Sequence, residues 1–214
     1  VGARFSMRQP LGRGWRTEIV LAGRTGRDLH VEGVCTHALQ AVVRMEKNWR
    51  DGCRLSLLAA ASPEERALRG SSTEEAFLLT GDRLYNPSWG FCDGRVRSAN
   101  RRRGVTPLAA VGFDMPLGGS TRMRIVLAGE TGVQRRSSLG WFDARTPQPD
   151  NYRSLPSYFD DPATAQFVAG RWRSGDSRYT QIDWDELVRQ NGLTEGGAVY
   201  VEQERVERLS DWKG

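Results

Sequence analysis

The sequence predicts an all-β chain, an antiparallel up-and-down meander that forms part of a transmembrane β-barrel. Apolar and polar residues alternate strictly in six segments, as in strands whose successive side chains point to opposite faces. The connections between these segments are alternately short and long, and the short ones contain glycine. Transmembrane barrels have short turns at one end and long loops at the other. We therefore expect about six strands in three hairpins.

The alternation is clearest in the first hairpin, where Ala3, Phe5 and Met7 are separated by charged or polar residues. The same pattern recurs from Leu39 to Met45 and from Met123 to Leu127. In each case one face of the strand is apolar and the other is largely polar or charged. The predicted strands are 2–11, 15–23, 38–48, 53–61, 105–115 and 121–132.

The long connections are predicted as extracellular loops that fold around short helices. They are 24–36, 62–104 and 133–197. Ser62, Ser72 and Asp183 each precede a glutamate by three residues, which is the spacing of a capping box. This spacing predicts a short helix after each of them, with Gly192 ending the third.

Composition narrows the classes of protein to which the chain can belong. Only 38% of the residues are hydrophobic and 27% are charged, so a large conventional core is not expected. No apolar run approaches the roughly 18 residues of a membrane-spanning helix. The net charge is +5, but the arginine clusters at 101–103 and 135–136 accompany no nucleic-acid motif. We expect solvated loop charge and no nucleic-acid partner.

The sequence indicates neither an enzyme nor a cofactor protein. His30 and His37 lie seven residues apart without clustered carboxylates, so no metal site is expected. Asp183 and Glu186 could form an acid and base pair for glycoside hydrolysis, but helix capping explains them better. No glycine-rich phosphate loop precedes a helix. We expect no catalytic residues, no metal and no other cofactor.

Aromatic residues in the long loops are the candidate ligand-binding residues. They are Tyr85, Trp89, Trp141, Phe142, Tyr152, Tyr158 and Trp172. Such side chains could contact a ligand at the outer mouth of a barrel. The alternative is that they pack the loops against one another, because loops of this length need internal cores to stay ordered.

Five segments, in order along nearly the whole chain, resemble the TonB-dependent outer-membrane receptors of Bacteroidetes that contain a carboxypeptidase-like regulatory domain. They are YNPSWG at 85–90, the stretch 95–107, LGWFDA at 139–144, DNYRSLPSYF at 150–159 and TQIDW at 180–184.

This resemblance implies energy-dependent import of a scarce ligand, such as an iron chelate, vitamin or glycan, across the bacterial outer membrane. The implied partners are outer-membrane lipid, the ligand itself and the TonB complex, which acts through a plug domain. We expect this chain to be a fragment, with the plug and the remaining strands of a barrel of about 22 lying outside it. A soluble or surface-attached all-β carbohydrate-binding module remains the alternative interpretation.

Overall fold

A computed structural model of the chain describes residues 1–193 and 199–213. Its framework is a nine-stranded antiparallel sheet, with a separate two-stranded hairpin in one of the connections. The strands are β1 (Gly2–Gly12), β2 (Trp15–Arg27), β3 (Cys35–Asn48), β4 (Arg54–Ala61), β5 (Glu64–Ala67), β6 (Trp89–Cys92), β7 (Arg95–Ser98), β8 (Arg101–Val105), β9 (Leu108–Gly118), β10 (Thr121–Trp141) and β11 (Tyr200–Lys213). The helices are α1 (Glu74–Thr80), α2 (Pro162–Arg173), α3 (Ser177–Thr180) and α4 (Trp184–Leu193).

The nine strands of the large sheet form seven long columns in chain order. Strands β4 and β5 continue one another in a single register against β3, and β8 and β9 do the same against β10. Pro63 and Pro107 mark the two interruptions, because a proline has no N–H to donate to the ladder. Their carbonyls still accept hydrogen bonds from Leu39 (2.9 Å) and Thr131 (3.1 Å).

The three tight turns lie together at one end of the sheet, because consecutive columns are antiparallel. The first turn has positive φ at Gly12, Arg13 and Gly14. A Cβ on Gly14 would lie 2.3 Å from the carbonyl oxygen of Asn48, so the neighbouring strand also requires glycine there. The long connections all meet at the opposite end and fold over it. We call residues 28–34, 68–100 and 142–193 the cap.

The antiparallel sheet and its three predicted hairpins are confirmed, while several boundaries differ. The predicted helix after Ser62 is wrong: Glu64–Ala67 is strand β5, held on both sides by β3 and β8. Strand β10 continues beyond residue 132 to Trp141, where it pairs with β8 and β11. The predicted loops 24–36, 62–104 and 133–197 are correspondingly shorter, since β2, β3, β5, β8 and β10 occupy their ends.

The cap helices begin at side chains that accept hydrogen bonds from the first turn. Thr73 caps α1 by accepting from the Ala76 amide, one residue later than predicted, and Asp161 caps α2. The predicted capping role of Asp183 is confirmed, because its carboxylate accepts from the Glu186 amide at 3.0 Å. Gly192 lies within α4. No helix in residues 1–193 and 199–213 is long and apolar enough to cross a membrane.

The hydrophobic core lies in the cap and in the strand ends beside it. One cluster combines Ala99, Leu139, Ile182, Trp184, Leu187 and Tyr200. A second, wholly within the cap, combines Ala76, Tyr85, Leu155, Val168 and Trp172. In the described part of the chain, every buried hydrophobic residue belongs to the cap or to the adjoining ends of the strands. The sheet nearer the tight turns therefore has no core of its own.

Candidate functional site

Three of the seven predicted ligand-binding aromatics are buried in the cap. Trp172 is only 1% exposed, and the Tyr85 and Trp89 side chains are also buried. The Tyr85 hydroxyl donates to the carbonyl of Thr180 at 2.7 Å, and its ring meets that of Trp172 edge-on at 5.7 Å. Burial, followed by the charge of Asp150, raises the pKa of Tyr85. These contacts favour the packing role for the three residues.

The other four predicted residues, Trp141, Phe142, Tyr152 and Tyr158, have exposed side chains. Trp141 ends strand β10, and Tyr152 lies in a short 3₁₀ turn of the cap. The Tyr152 and Tyr158 rings are in edge contact, with centroids 5.7 Å apart. For these four residues, ligand contact stays a prediction.

Two of the exposed aromatics line a cleft of about 480 Å³ between the cap and the end of β10. Trp141 and Tyr152 contribute rings, while Gln148 and Asn151 contribute amide groups. Serine and threonine hydroxyls complete the wall; they belong to Ser71, Ser72, Thr73 and Thr146. The described lining contains no lysine, arginine or histidine.

The unusual member of the cleft is Asp150, which is only 8% exposed. Among residues 1–193 and 199–213, no cation lies within ion-pair distance of its carboxylate. Burial raises the pKa of the Asp150 carboxyl, and the neighbouring Ser72 hydroxyl lowers it only in part. That hydroxyl is itself buried without a partner in hydrogen-bond geometry. The cleft thus contains a buried carboxylate without a cationic partner among the described residues, close to the Ser72 hydroxyl and to its own backbone amide.

The sequence prediction identified the rings of this cleft but missed Asp150. The residue begins the segment 150–159 and lies two positions before Tyr152, yet nothing in its local pattern predicts burial. A buried, unpaired carboxylate is costly unless it gains hydrogen bonds. The feature arises only when segments 71–73, 141–146 and 148–152 come together.

An ionic network joins the cap to the end of the sheet. Glu202 pairs with Arg97 and Arg101, and Glu65 pairs with Arg101 and Arg103. Burial would raise the pKa of Glu202, but hydrogen bonds and charge from Arg101 and then Arg97 hold it below its ordinary value. The predicted solvated arginine cluster at 101–103 is therefore partly engaged in ion pairs.

The acidic residues considered for catalysis serve the surface of α4. Asp183 caps the helix, and Glu186 pairs with Arg189 at 2.6 Å. Hydrogen bonds from Arg189 and then Gln190 lower the pKa of Glu186 to about 2. A general acid needs a pKa near the working pH, so Glu186 is poorly suited to that role.

Comparison of the chain with protein-family models, with curated proteins and with solved structures found no match.

Proposed function

We propose that this chain is part of a TonB-dependent receptor of the bacterial outer membrane. In this proposal the sheet is a section of the barrel wall, and the cap is the extracellular part that receives the ligand. Import would draw on the TonB complex, acting through a plug domain outside this sequence. The observation that carries the proposal is an apolar face of the sheet that nothing in the described chain covers.

The strand registers place the apolar side chains of neighbouring strands side by side. Phe5 pairs with Leu21, and Phe113 pairs with Ile125. We call this the apolar face; its members are Ala3, Phe5, Met7, Ile19, Leu21, Val43, Leu57, Val111, Phe113, Met123, Ile125 and Leu127. Phe5 and Ile125 are 57% and 56% exposed. Water disfavours so broad an apolar surface, and a bilayer would cover it.

The height of the apolar face fits a membrane. On β10 the same face continues beyond Leu127 through Gly129 and Thr131 to Val133, whose register partner on β11 is Arg208. From Met123 to Val133, β10 advances about 34 Å at roughly 3.4 Å per residue. A strand tilt of about 40° reduces this length to about 25 Å, the height of the apolar band of outer-membrane barrels. Arg135 and Arg103, which are paired in register, follow directly above Val133 and Val105.

The tight-turn end of the apolar face has the residues of a membrane interface. The Lys47 ammonium lies 5.6 Å from the ring centroid of Trp15 and 5.8 Å from that of Trp49. The Trp49 ring meets Phe113 edge-on at 6.4 Å. Tryptophan and lysine are favoured where hydrocarbon meets water, because each has an apolar body and a polar end.

A wide groove lies on the same face. It measures about 950 Å³, and its lining includes Leu39, Val105 and Val133. Arg103 and Arg135 also contribute to it. Glu65 also lines the groove and pairs with Arg103 at 3.0 Å, while Arg135 pairs with Glu204 at 3.5 Å. An apolar floor below a belt of ion pairs suits lipid chains whose headgroups lie among the charges, which supports lipid as the partner of this face.

The opposite face of the sheet has ion pairs suited to a watery barrel interior. Asp114 accepts from Arg54 and Arg124, and Arg8 donates to Glu18 at 2.9 Å. We call this the ionic face, although it also includes apolar residues such as Val126. Transmembrane barrels turn their polar face toward the lumen. In this proposal the ionic face therefore lines the lumen, and the apolar face contacts lipid.

The experiment compares arginine at two adjacent positions of β10. Ile125 belongs to the apolar face and Val126 to the ionic face, and both are well exposed, at 56% and 47%. For Ile125→Arg we expect transfer of the chain from buffer into lipid vesicles to weaken by about 2–4 kcal/mol, depending on depth. Val126→Arg should change it by about 1 kcal/mol or less. Equal effects, or a wild-type chain that is monomeric without detergent or lipid, would contradict the proposal.

A second candidate function is a soluble or surface-attached carbohydrate-binding module. The cleft at Trp141 and Tyr152 favours it, because exposed rings beside hydrogen-bonding side chains suit sugars. The vesicle experiment distinguishes the two candidates, since a soluble module would remain in the buffer.

A further inference from the structure

We propose that the cleft between Trp141 and Tyr152 is the binding site for a neutral, polyhydroxylated ligand, that is, a glycan. This inference rests on the proposed receptor function and deepens it, because it selects one class of imported ligand. It depends on four features of the cleft: a carboxylate without a cationic partner among the described residues, a neutral polar wall, exposed rings, and a described lining without lysine, arginine or histidine.

The carboxylate is the first feature that indicates a ligand. Asp150 is more than nine-tenths buried, lines the cleft and has no ion-pair partner among the residues described. An isolated buried charge is expensive unless hydrogen bonds compensate it. Ligand hydroxyls would donate charge-assisted hydrogen bonds to its oxygens, and these are stronger than neutral ones. The Ser72 hydroxyl, which has no partner in hydrogen-bond geometry, would form a further hydrogen bond with a ligand hydroxyl.

The rest of the wall favours many hydroxyl groups over a single charged group. Gln148 offers an amide with donors and an acceptor, and Asn151 offers its NH2 group, because its side-chain oxygen already accepts from the Arg153 amide at 3.1 Å. The serine and threonine hydroxyls can both donate and accept. A cationic ligand would use the Asp150 carboxylate and leave most of these groups unmatched. A sugar ring, with hydroxyls around its edge, can satisfy several of them together.

The exposed rings, and a described lining without basic side chains, also favour a glycan. Trp141 provides a flat apolar surface against which the C–H face of a sugar can pack. Tyr152 adds a second exposed ring, with the Arg153 guanidinium 5.5 Å from its centroid. An anionic iron chelate would meet the Asp150 carboxylate, with no lysine, arginine or histidine in the described lining to bind it. The cleft therefore disfavours the anionic members of the ligand classes that the family resemblance implies.

The test uses the full chain in a detergent without a sugar headgroup, such as lauryldimethylamine oxide. A printed array of neutral oligosaccharides identifies the best binder, and titration by tryptophan fluorescence gives its Kd. An anionic ferric tris-catecholate and a cationic peptide are titrated in parallel. We expect Trp141→Ala and Asp150→Asn each to raise the glycan Kd by about tenfold or more. Phe167→Ala should change it less than about twofold, because Phe167 is exposed on α2 of the cap and does not line the cleft.

Asp150→Asn also separates a binding role from a structural one. Because burial raises the pKa of Asp150, glycan binding to the wild type should weaken as the pH falls through that pKa. The asparagine variant should have a weakened affinity that no longer depends on pH. Resistance of the cap to proteolysis verifies that each variant is folded, and Trp141→Phe should retain most of the affinity.

Several results would overturn the inference: no neutral oligosaccharide binds, only the ferric or cationic probe binds, or Trp141→Ala and Phe167→Ala behave alike. None of these results would alter the vesicle experiment with Ile125→Arg and Val126→Arg. Conversely, a chain that stays out of vesicles but binds glycan in the cleft would remove the receptor proposal and leave the cleft as a soluble module's site.

Discussion

The cap and the lower sheet, which is the part of the sheet nearer the tight turns, differ in what surrounds their apolar side chains. In the cap, Trp172 and Ile182 are almost wholly removed from solvent and pack in clusters formed by segments far apart in sequence. In the lower sheet, Phe5, Ile125 and Leu127 are more than half exposed. The strands of the lower sheet are nevertheless paired in continuous register, apart from shifts beside Gly12 and Thr121.

This difference separates two sources of order. In the lower sheet, backbone hydrogen bonds between the strands fix the register, and nothing in the described chain covers the apolar side chains. In the cap, side chains accept hydrogen bonds from the first turns of α1 and α2. Its apolar residues pack in two clusters, one of which includes the adjoining strand ends. We infer that the cap is stabilised mainly by contacts within this chain, and the lower sheet mainly by whatever covers its apolar face. Substitutions in the two regions should therefore behave differently.

The largest effect is expected from removing a buried ring of the cap. Trp172→Ala should destabilise the cap by about 3–5 kcal/mol, because it leaves a large cavity against Tyr85 and Leu155. Limited proteolysis in detergent, with cleavage sites mapped by mass spectrometry, would detect opening of the cap. The matched control is Trp49→Ala, at the tight-turn end and 42% exposed, which should cost about 1 kcal/mol or less. Equal losses would contradict the contrast between the regions.

A smaller loss is expected where two backbones of the cap approach closely. A Cβ at Gly90 would lie 1.9 Å from the carbonyl oxygen of Ile182, whose amide donates to the Trp89 carbonyl at 2.9 Å. Gly90→Ala must push β6 away from this segment, at about 1–3 kcal/mol. Chemical unfolding followed by tryptophan fluorescence would measure the loss.

Its control is Gly170→Ala in α2, where an added Cβ meets no atom within 4 Å among those described. That change should stabilise the helix by about 0.5–1 kcal/mol, because alanine loses less backbone entropy. Opposite signs for the two substitutions would support close packing of the cap. If both substitutions raised the free energy of unfolding, β6 would be free to move away from Ile182.

The sequence predicted the lower sheet well because its two faces differ in polarity. Ile125 and Leu127 alternate with polar or small residues, so the period of two is visible. Strand β11 was not predicted, because it has charged residues on both faces and therefore no alternation of apolar and polar residues. Glu202 and Glu204 lie on one face and Arg205 on the other. There the strand is fixed by its ladder to β10 and by ion pairs, neither of which leaves a hydrophobic period.

The cap was predictable only in its local signals. Asp183 begins a helix because the capping hydrogen bond is made within four residues. Ser62 has the same spacing to Glu65, but pairing of β5 with two neighbouring strands outweighs the helical signal. Similarly, aromatic composition identified Trp141 and Tyr152, whereas the burial of Asp150 depends on segments brought together by the fold.

The smallest effect is expected on the ionic face, at Asp114. Its carboxylate is 12% exposed and pairs with Arg54 at 2.9 Å and with Arg124, while the two arginine side chains keep much of their contact with solvent. Asp114→Asn should therefore cost only about 1 kcal/mol at neutral pH, measured by chemical unfolding in detergent. Glu18→Gln, whose partner Arg8 is far more exposed, should cost less still.

The pH dependence gives this prediction a direction. Hydrogen bonds from Arg124 and then Arg54 hold the pKa of Asp114 below its ordinary value. The stabilisation is therefore complete above the unfolded pKa of about 3.9 and is lost as the pH falls through the lower folded pKa. The difference between wild type and Asp114→Asn should shrink in that acidic range. A difference that persisted there would mean that Asp114 acts through packing, and the ionic face would then resemble the cap.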